Sequence, residues 1–231
     1  MRTLLRWGAW LFVVLLGLFV LYNMVVFTML IIWRTHNPES TRFMRQSLAI
    51  LQSKQPDAKL QHQWVPYAQI SVSLKRAVIA AEDDKFVDHA GFDWESIEHA
   101  LENNQKKGRP VIGGSTITQQ LAKNLFLTPQ RSMARKAEEA LITLMIETLW
   151  DKKRILEVYL NVAEWGEGIF GCEAAAQYYY KSHASQINHA QAARLAVMLP
   201  NPKKYQNRMP AYLLKHATKI ERRMQLSDIP D

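Results

Sequence analysis

Glu82, Asp83 and Asp84 follow directly on the small apolar run Ala77 to Ala81, and Phe86, His89, Gly91 and Asp93 come next. A carboxylate that closes a buried helix is partly desolvated, which raises its pKa and suits it to general-base work. Adjacent acids are also common as a solvated helix end. Asp83 and Asp84 offer a third reading, divalent-cation binding, although the spacing fixes no full ligand set. Some thirty residues on, Gly113 and Gly114 precede Ser115-Thr116-Ile117-Thr118-Gln119-Gln120-Leu121-Ala122-Lys123-Asn124. The glycines permit close backbone approach, and hydroxyls with free N–H groups at a helix start form an anion site. Gln119 with Lys123 and Gln120 with Asn124 are i, i+4 pairs, so one helix side is rich in amides that suit a hydroxylated ligand such as a sugar.

Two further groups carry charge. Arg131, Arg135 and Glu139 repeat every four residues, with Lys136 beside them. Alone, such a stripe reads as a salt-bridged surface helix; beside a membrane it could hold a phosphate. Glu157 lies in Lys152-Lys153-Arg154-Ile155-Leu156-Glu157-Val158-Tyr159-Leu160-Asn161, a segment apolar on most sides. A buried Glu requires a partner, and Glu157 is the natural second carboxylate to Glu82. An acid pair, an amide-rich helix and a basic stripe together point to glycosyl chemistry on a phosphorylated substrate.

These groups need elements to position them, and the chain has 231 residues, a formal charge of +8 and one cysteine, Cys172. That length supports one globular domain with a core. A single Cys excludes an intramolecular disulfide and reads as a small core residue, and the seven His show no zinc-ligand spacing. The basic balance leaves nucleic acid, anionic lipid head groups or a phosphorylated substrate as partner classes.

Trp7 to Trp33 contains no charged residue, and Trp7, Trp10 and Trp33 mark its ends. As a helix this stretch is roughly 40 Å long, more than a hydrocarbon core of about 30 Å. It is too long for a cleaved signal peptide, and no small-residue cleavage site follows. The sequence predicts a single transmembrane anchor. Arg2 and Arg6 nearly balance Arg34, Arg42 and Arg45, so charge alone does not orient it.

The expected organisation is a cytoplasmic tip and anchor over 1–34, a juxtamembrane connector over 35–66 and a catalytic domain over 67–231. The connector is predicted to hold one helix from Thr41 to Gln52 and a short extended segment from Val65 to Ile70. Beyond Ser71 the periodicity is helical almost throughout: to Glu82, from Phe92 to Asn104 with Asp93 as N-cap, and from Ser115 or Thr116 to Phe126. Further helices are predicted near 132–150, 152–161, 172–180 and 189–199. In the tail, Tyr212 to Met224, Leu213, Ala217, Ile220 and Met224 fall on one face and Lys215, Lys219, Arg222 and Arg223 elsewhere. The fold class is mainly α.

The segment Glu82 to Asp93 resembles the first signature of the peptidoglycan glycosyltransferases, the domain shared by class A penicillin-binding proteins and stand-alone membrane enzymes. Gly113 to Asn124 resembles the second, Arg135 to Ala140 the third and Lys152 to Asn161 the fourth. The match is collinear from about Ser71 to Pro202. No Ser-x-x-Lys occurs in the sequence, so the resemblance is to the monofunctional members, without transpeptidase activity.

The resemblance implies a lysozyme-like, mainly α glycosyltransferase domain behind the single transmembrane helix. It implies polymerisation of lipid II into β-1,4-linked glycan, with inversion, from a polyprenyl-pyrophosphate-linked donor chain to the 4-hydroxyl of acceptor lipid II. Glu82 then corresponds to the general base and Glu157 to the second catalytic carboxylate. Asp83, Phe86 and His89 shape the site. Ser115, Thr116, Gln119, Gln120, Lys123 and Asn124 belong to the donor-side helix. Lys123 and Arg131 face the pyrophosphate, with Arg135, Lys136 and Glu139 in support. No cofactor is required by the resemblance, which leaves open a divalent cation, Mg2+ or Mn2+. Expected partners are lipid II, the growing glycan, the membrane and other cell-wall synthesis or division proteins, and not nucleic acid, for which no reader motif exists. The expected location is the bacterial inner membrane with the domain on the periplasmic side. The nearest rival is a lytic, lysozyme-like enzyme, which needs neither a basic pyrophosphate site nor a lipid-anchored substrate. A membrane-tethered basic scaffold is the non-enzymatic one.

Overall fold

A computed structural model describes residues 2–107, 114–130 and 132–231. The chain forms two compact units, Met1–Pro38 and Glu39–Asp231.

The first unit is one helix, α1 (Arg2–Trp33). Its stretch Arg6–Trp33 is long and apolar enough to cross a membrane. Leu11, Phe12, Leu15 and Phe19 are exposed along it, which fits a membrane anchor. Its two polar interruptions donate back into the helix: Asn23 Nδ2 to the Phe19 carbonyl and Thr28 Oγ1 to the Met24 carbonyl, both at 2.8 Å.

The second unit is helical with a minimal sheet. Helix α2 (Arg42–Lys54) is capped by Thr41, whose Oγ1 accepts the Met44 N–H at 3.1 Å. Strand β1 (Gln61–His62) follows. The stretch expected to be extended, Val65 to Ile70, instead holds a 3-10 turn over Tyr67–Gln69. Pro66 fixes φ at −60° ahead of it, and the Gln69 N–H closes on the Pro66 carbonyl. Helix α3 (Val72–Glu82) starts at the Ser71 cap and ends on Glu82. Helix α4 (Trp94–Lys107) is opened by Asp93, whose Oδ1 accepts the Ser96 N–H at 3.0 Å.

Helix α5 (Ile117–Phe126) begins with a capping box in which Thr116 and Gln119 satisfy each other's backbone N–H. Ser132 and Asp151 cap α6 (Met133–Leu149) and α7 (Lys152–Val162). Strands β2 (Glu164–Gly166) and β3 (Ile169–Phe170) complete a sheet of order β1-β3-β2, with β1 parallel and β2 antiparallel to β3. Gly171 then turns the chain at φ +82°, where a Cβ would meet the Asn161 carbonyl oxygen at 2.7 Å. Helices α8 (Cys172–Tyr180), α9 (His189–Ala196), α10 (Pro202–Tyr205) and α11 (Ala211–Arg223) finish the chain, with a 3-10 turn at Met224–Leu226.

Helix α5 sits between α2, α6 and α7, and α3 packs on α9 and α11. Leu121 and Leu125 of α5, Ile155 and Leu156 of α7, and Leu74 and Val78 of α3 are all buried. Each such side chain contributes about 1.5–3 kcal/mol by leaving water. The tail periodicity holds as read: Leu213, Ala217, Ile220 and Met224 are buried. This core fixes the end of α3 against the start of α5, and the polar residues gather at that junction.

Candidate active site

The end of α3, the start of α5 and one face of α4 enclose a cleft of about 640 Å³. Glu82, Asp83 and Asp84 line it from α3, and Gly114, Ser115 and Thr116 from the approach to α5. Glu95, Glu98 and Glu102 of α4 form an acidic wall, and Arg223 enters from the end of α11.

Glu82 is half-buried. Gln120 Nε2 donates to its Oε2 at 2.7 Å, and its other oxygen takes no hydrogen bond from the described residues. Burial pushes the Glu82 pKa up, and the neighbouring Asp83 adds to this; the Gln120 bond and the Lys123 charge oppose it. The raised pKa suits the carboxylate to accept a proton, and Glu82 lines the cleft.

Asp83 turns inward. Its Oδ1 lies 2.8 Å from His89 Nε2, and its Oδ2 accepts the Ile117 N–H at 2.9 Å. The second bond places a carboxylate on the first turn of α5, where the helix dipole favours it. It also ties the end of α3 to the start of α5. Thr116 Oγ1 donates to the Gly91 carbonyl at 2.7 Å, bringing the intervening loop to the same junction. Gly91 stands at φ +84°, where a Cβ would meet Thr143 and Glu147. Asp84 accepts from Ser227 Oγ at 3.2 Å and lies 3.8 Å from Arg223 Nε. Asp83 is thus engaged at both oxygens, and Asp84 is approached more loosely. Among the described residues no group of three or more His, Cys, Asp or Glu side chains is arranged to hold a metal.

The basic residues Lys123, Arg135 and Lys136 gather around Glu139. Glu139, buried, pairs with both Arg135 and Lys136. Lys136 Nζ also reaches Ser115 Oγ at 3.3 Å, which connects this group to the cleft rim. Burial lowers the Lys123 pKa and the two nearby cations add to that; the charges of Glu139 and Glu82 offset part of it. Arg131 lies outside the described residues.

Other expected site residues have different surroundings. Phe86 is wholly buried, with Lys152 Nζ 4.6 Å from its ring centroid. Gln119 is engaged in the α5 capping box, and Asn124 is buried. Glu157 does not meet Glu82: its Oε1 accepts the Tyr67 N–H at 3.2 Å and its Oε2 accepts from Arg154 at 3.0 Å. Asn161, one turn on, clasps Val65 by accepting its N–H and donating to its carbonyl, each at 2.9 Å. The α7 polar pair therefore holds the segment that leads into α3.

Three participants carried no sequence signal strong enough to single them out. Tyr159, fully buried, donates to Gln120 Oε1 at 2.9 Å. Glu147 takes Lys152 at 2.9 Å and Thr118 at 2.5 Å beneath α5. Arg223 donates to the Ala80 carbonyl near the end of α3. A tyrosine inside an apolar helix face was the one available clue, since a buried phenol requires a partner.

A mainly α domain with a desolvated carboxylate in a cleft and a cationic cluster nearby is compatible with a glycosyltransferase. A family model described as Transglycosylase matches residues 49–226. Relatives named biosynthetic peptidoglycan transglycosylase match over the full length of both chains, at 60% identity in Azoarcus sp. (strain BH72), 58% in Aromatoleum aromaticum and 57% in Dechloromonas aromatica. The chain belongs to this family, the biosynthetic peptidoglycan transglycosylases.

Proposed function

We propose that the chain polymerises lipid II into the β-1,4-linked glycan strands of peptidoglycan, by inverting transfer and without transpeptidase activity. The 4-hydroxyl oxygen of acceptor lipid II attacks the anomeric carbon of the donor chain. The new C–O bond forms as the bond to polyprenyl pyrophosphate breaks, and the hydroxyl proton passes to Glu82. The observation that carries this reading is Glu82 itself: desolvated at the end of α3, held through one oxygen by Gln120, and part of the cleft lining. A hydroxyl nucleophile needs a base, and a group placed in this way supplies one.

Lys123, Arg135 and Lys136, together with Arg131, supply positive charge for the departing pyrophosphate. Asp83 and His89 hold the end of α3. Ser115, Thr116, Gln119, Gln120 and Asn124 shape the donor side, and Glu139 orders the cations. Glu157 supports the reaction from α7 through Tyr67 and Arg154. The helix α1 holds the enzyme at the bilayer that carries its substrate. We place the domain on the periplasmic side of the bacterial inner membrane, where cell-wall synthesis and division proteins are available partners.

Incubating the purified full chain with lipid II, with and without a chelator, tests the reading. Wild-type protein should form polymer, and Glu82→Gln should not. Cleavage of finished glycan with no polymer from lipid II would identify a lytic enzyme instead. Loss of polymer on chelation, restored by Mg2+ or Mn2+, would add a divalent cation to the reaction.

A further inference from the structure

Three side chains from three helices form a chain of hydrogen bonds that ends on Glu82. Tyr159 of α7 donates to Gln120 Oε1 at 2.9 Å, and Gln120 of α5 donates from Nε2 to Glu82 Oε2 at 2.7 Å. Tyr159 is wholly buried, and Gln120 is the acceptor of its hydroxyl among the described residues.

A glutamine amide has a donor end and an acceptor end of nearly the same size. Which end faces a carboxylate matters. The NH2 end stabilises the ionised form; the oxygen end favours the protonated form, which can donate to it. A buried phenol O–H needs an acceptor, so it selects the oxygen end of Gln120 for itself and turns the NH2 end toward Glu82. Burial, and then the charges of Glu82 and Asp83, push the Tyr159 hydroxyl well above its ordinary pKa, so it stays a donor.

We propose that Tyr159 is a positioning residue for the transglycosylation step, acting through Gln120 to hold Glu82 in its proton-accepting form. This rests on the reading of Glu82 as the base. The groups that face Glu82 are Gln120 and Lys123 from α5, Tyr159 from α7 and its own neighbour Asp83. Lys123 favours the carboxylate and Asp83 opposes it. Gln120 alone among them can reverse its effect by turning over without any change of charge, and Tyr159 blocks that turn.

The test is the pH profile of kcat/KM for lipid II, measured on full-length wild type, Tyr159→Phe, Gln120→Met and the double variant. Tyr159→Phe keeps the ring in the core and removes only the hydroxyl. Its acid limb should move up by about one pH unit. That is roughly a ten-fold loss of kcat/KM below the limb, with convergence on wild type above it. A packing defect would lower the whole profile in parallel, and that result, or a superimposable profile, overturns the proposal.

Gln120→Met should move the limb in the same direction, and the double variant no further than Gln120→Met alone, because the hydroxyl acts only through the amide. Additive displacement overturns it as well. A Glu82→Gln arm separates the two levels: if that variant still polymerises, the base assignment fails; if it is inactive while the Tyr159→Phe profile is unmoved, the relay alone fails.

Discussion

Glu82 and Glu157 are both glutamates on helices that are largely buried, and both are candidate catalytic carboxylates. Their surroundings differ in one respect that decides what each can do. Glu157 has both oxygens engaged, one by the Tyr67 backbone and one by Arg154. Glu82 lines a cleft and has one oxygen held by Gln120, with no hydrogen bond to the other among the described residues. A carboxylate with a protein partner on each oxygen can act as a clamp. One that is desolvated and only half satisfied holds basicity in reserve, at a cost in stability that the surrounding core must offset.

The largest effect expected from this contrast is at Glu82. Glu82→Gln should reduce polymerisation about 10²–10⁴-fold, the usual worth of a positioned base. It should not lower the melting temperature, and the sign follows from linkage. The folded-state pKa of Glu82 is raised, so above its unfolded pKa the unfolded chain ionises more readily and the native state is penalised. An uncharged amide removes that penalty. A drop in melting temperature alongside the activity loss would place Glu82 with the clamps.

The α7 pair should behave in the opposite way. Asn161 is fully buried and makes three hydrogen bonds through its side chain, two with Val65 and one to the Glu157 carbonyl at 2.8 Å. Asn161→Ala strands the buried Val65 groups, at about 2–4 kcal/mol. Glu157→Ala removes the acceptor of the Tyr67 N–H and the Arg154 pair, at about 1–3 kcal/mol. In both variants melting temperature and activity should fall together, followed by thermal unfolding in detergent beside the lipid II assay. Glu157→Ala that loses turnover at unchanged melting temperature would move Glu157 from the clamp class to the reacting class.

Local rules made part of this arrangement readable from residue order alone. Thr116 with Gln119 is a capping box, Asp93 is a helix cap, and both act over three residues. The stripe of Arg135 and Glu139 forms its ion pair across one helical turn. Glu82 was legible as the end of a buried helix because small apolar residues precede it. What could not be read is set by packing across long separations. Tyr159 meets Gln120 across 39 residues, and Glu157 turns to Tyr67 across 90. Residue types show that such groups need partners; only the docking of α7 against α5 and against the turn before α3 decides which partners they take. The turn at Tyr67–Gln69 escaped for the same reason. Its backbone is held by Glu157 and by Lys75, whose Nζ donates to the Tyr67 carbonyl at 3.2 Å.

The smallest predicted effect separates saturation from burial. Asp84 has both oxygens approached by protein groups, as Glu157 does, yet its side chain and that of Arg223 are each about half exposed, at 50% and 51%. Water can replace either partner, and an ion pair at 3.8 Å in a high dielectric is worth at most about 1 kcal/mol. Asp84→Asn should therefore cost about 0.5 kcal/mol or less, a shift of at most about 2 °C in a domain of this size. If it destabilises as much as Glu157→Ala, engaged oxygens alone make a clamp, whatever their exposure. If it is silent, a clamp needs burial as well, and the reserve held by Glu82 comes from its desolvation more than from its free oxygen.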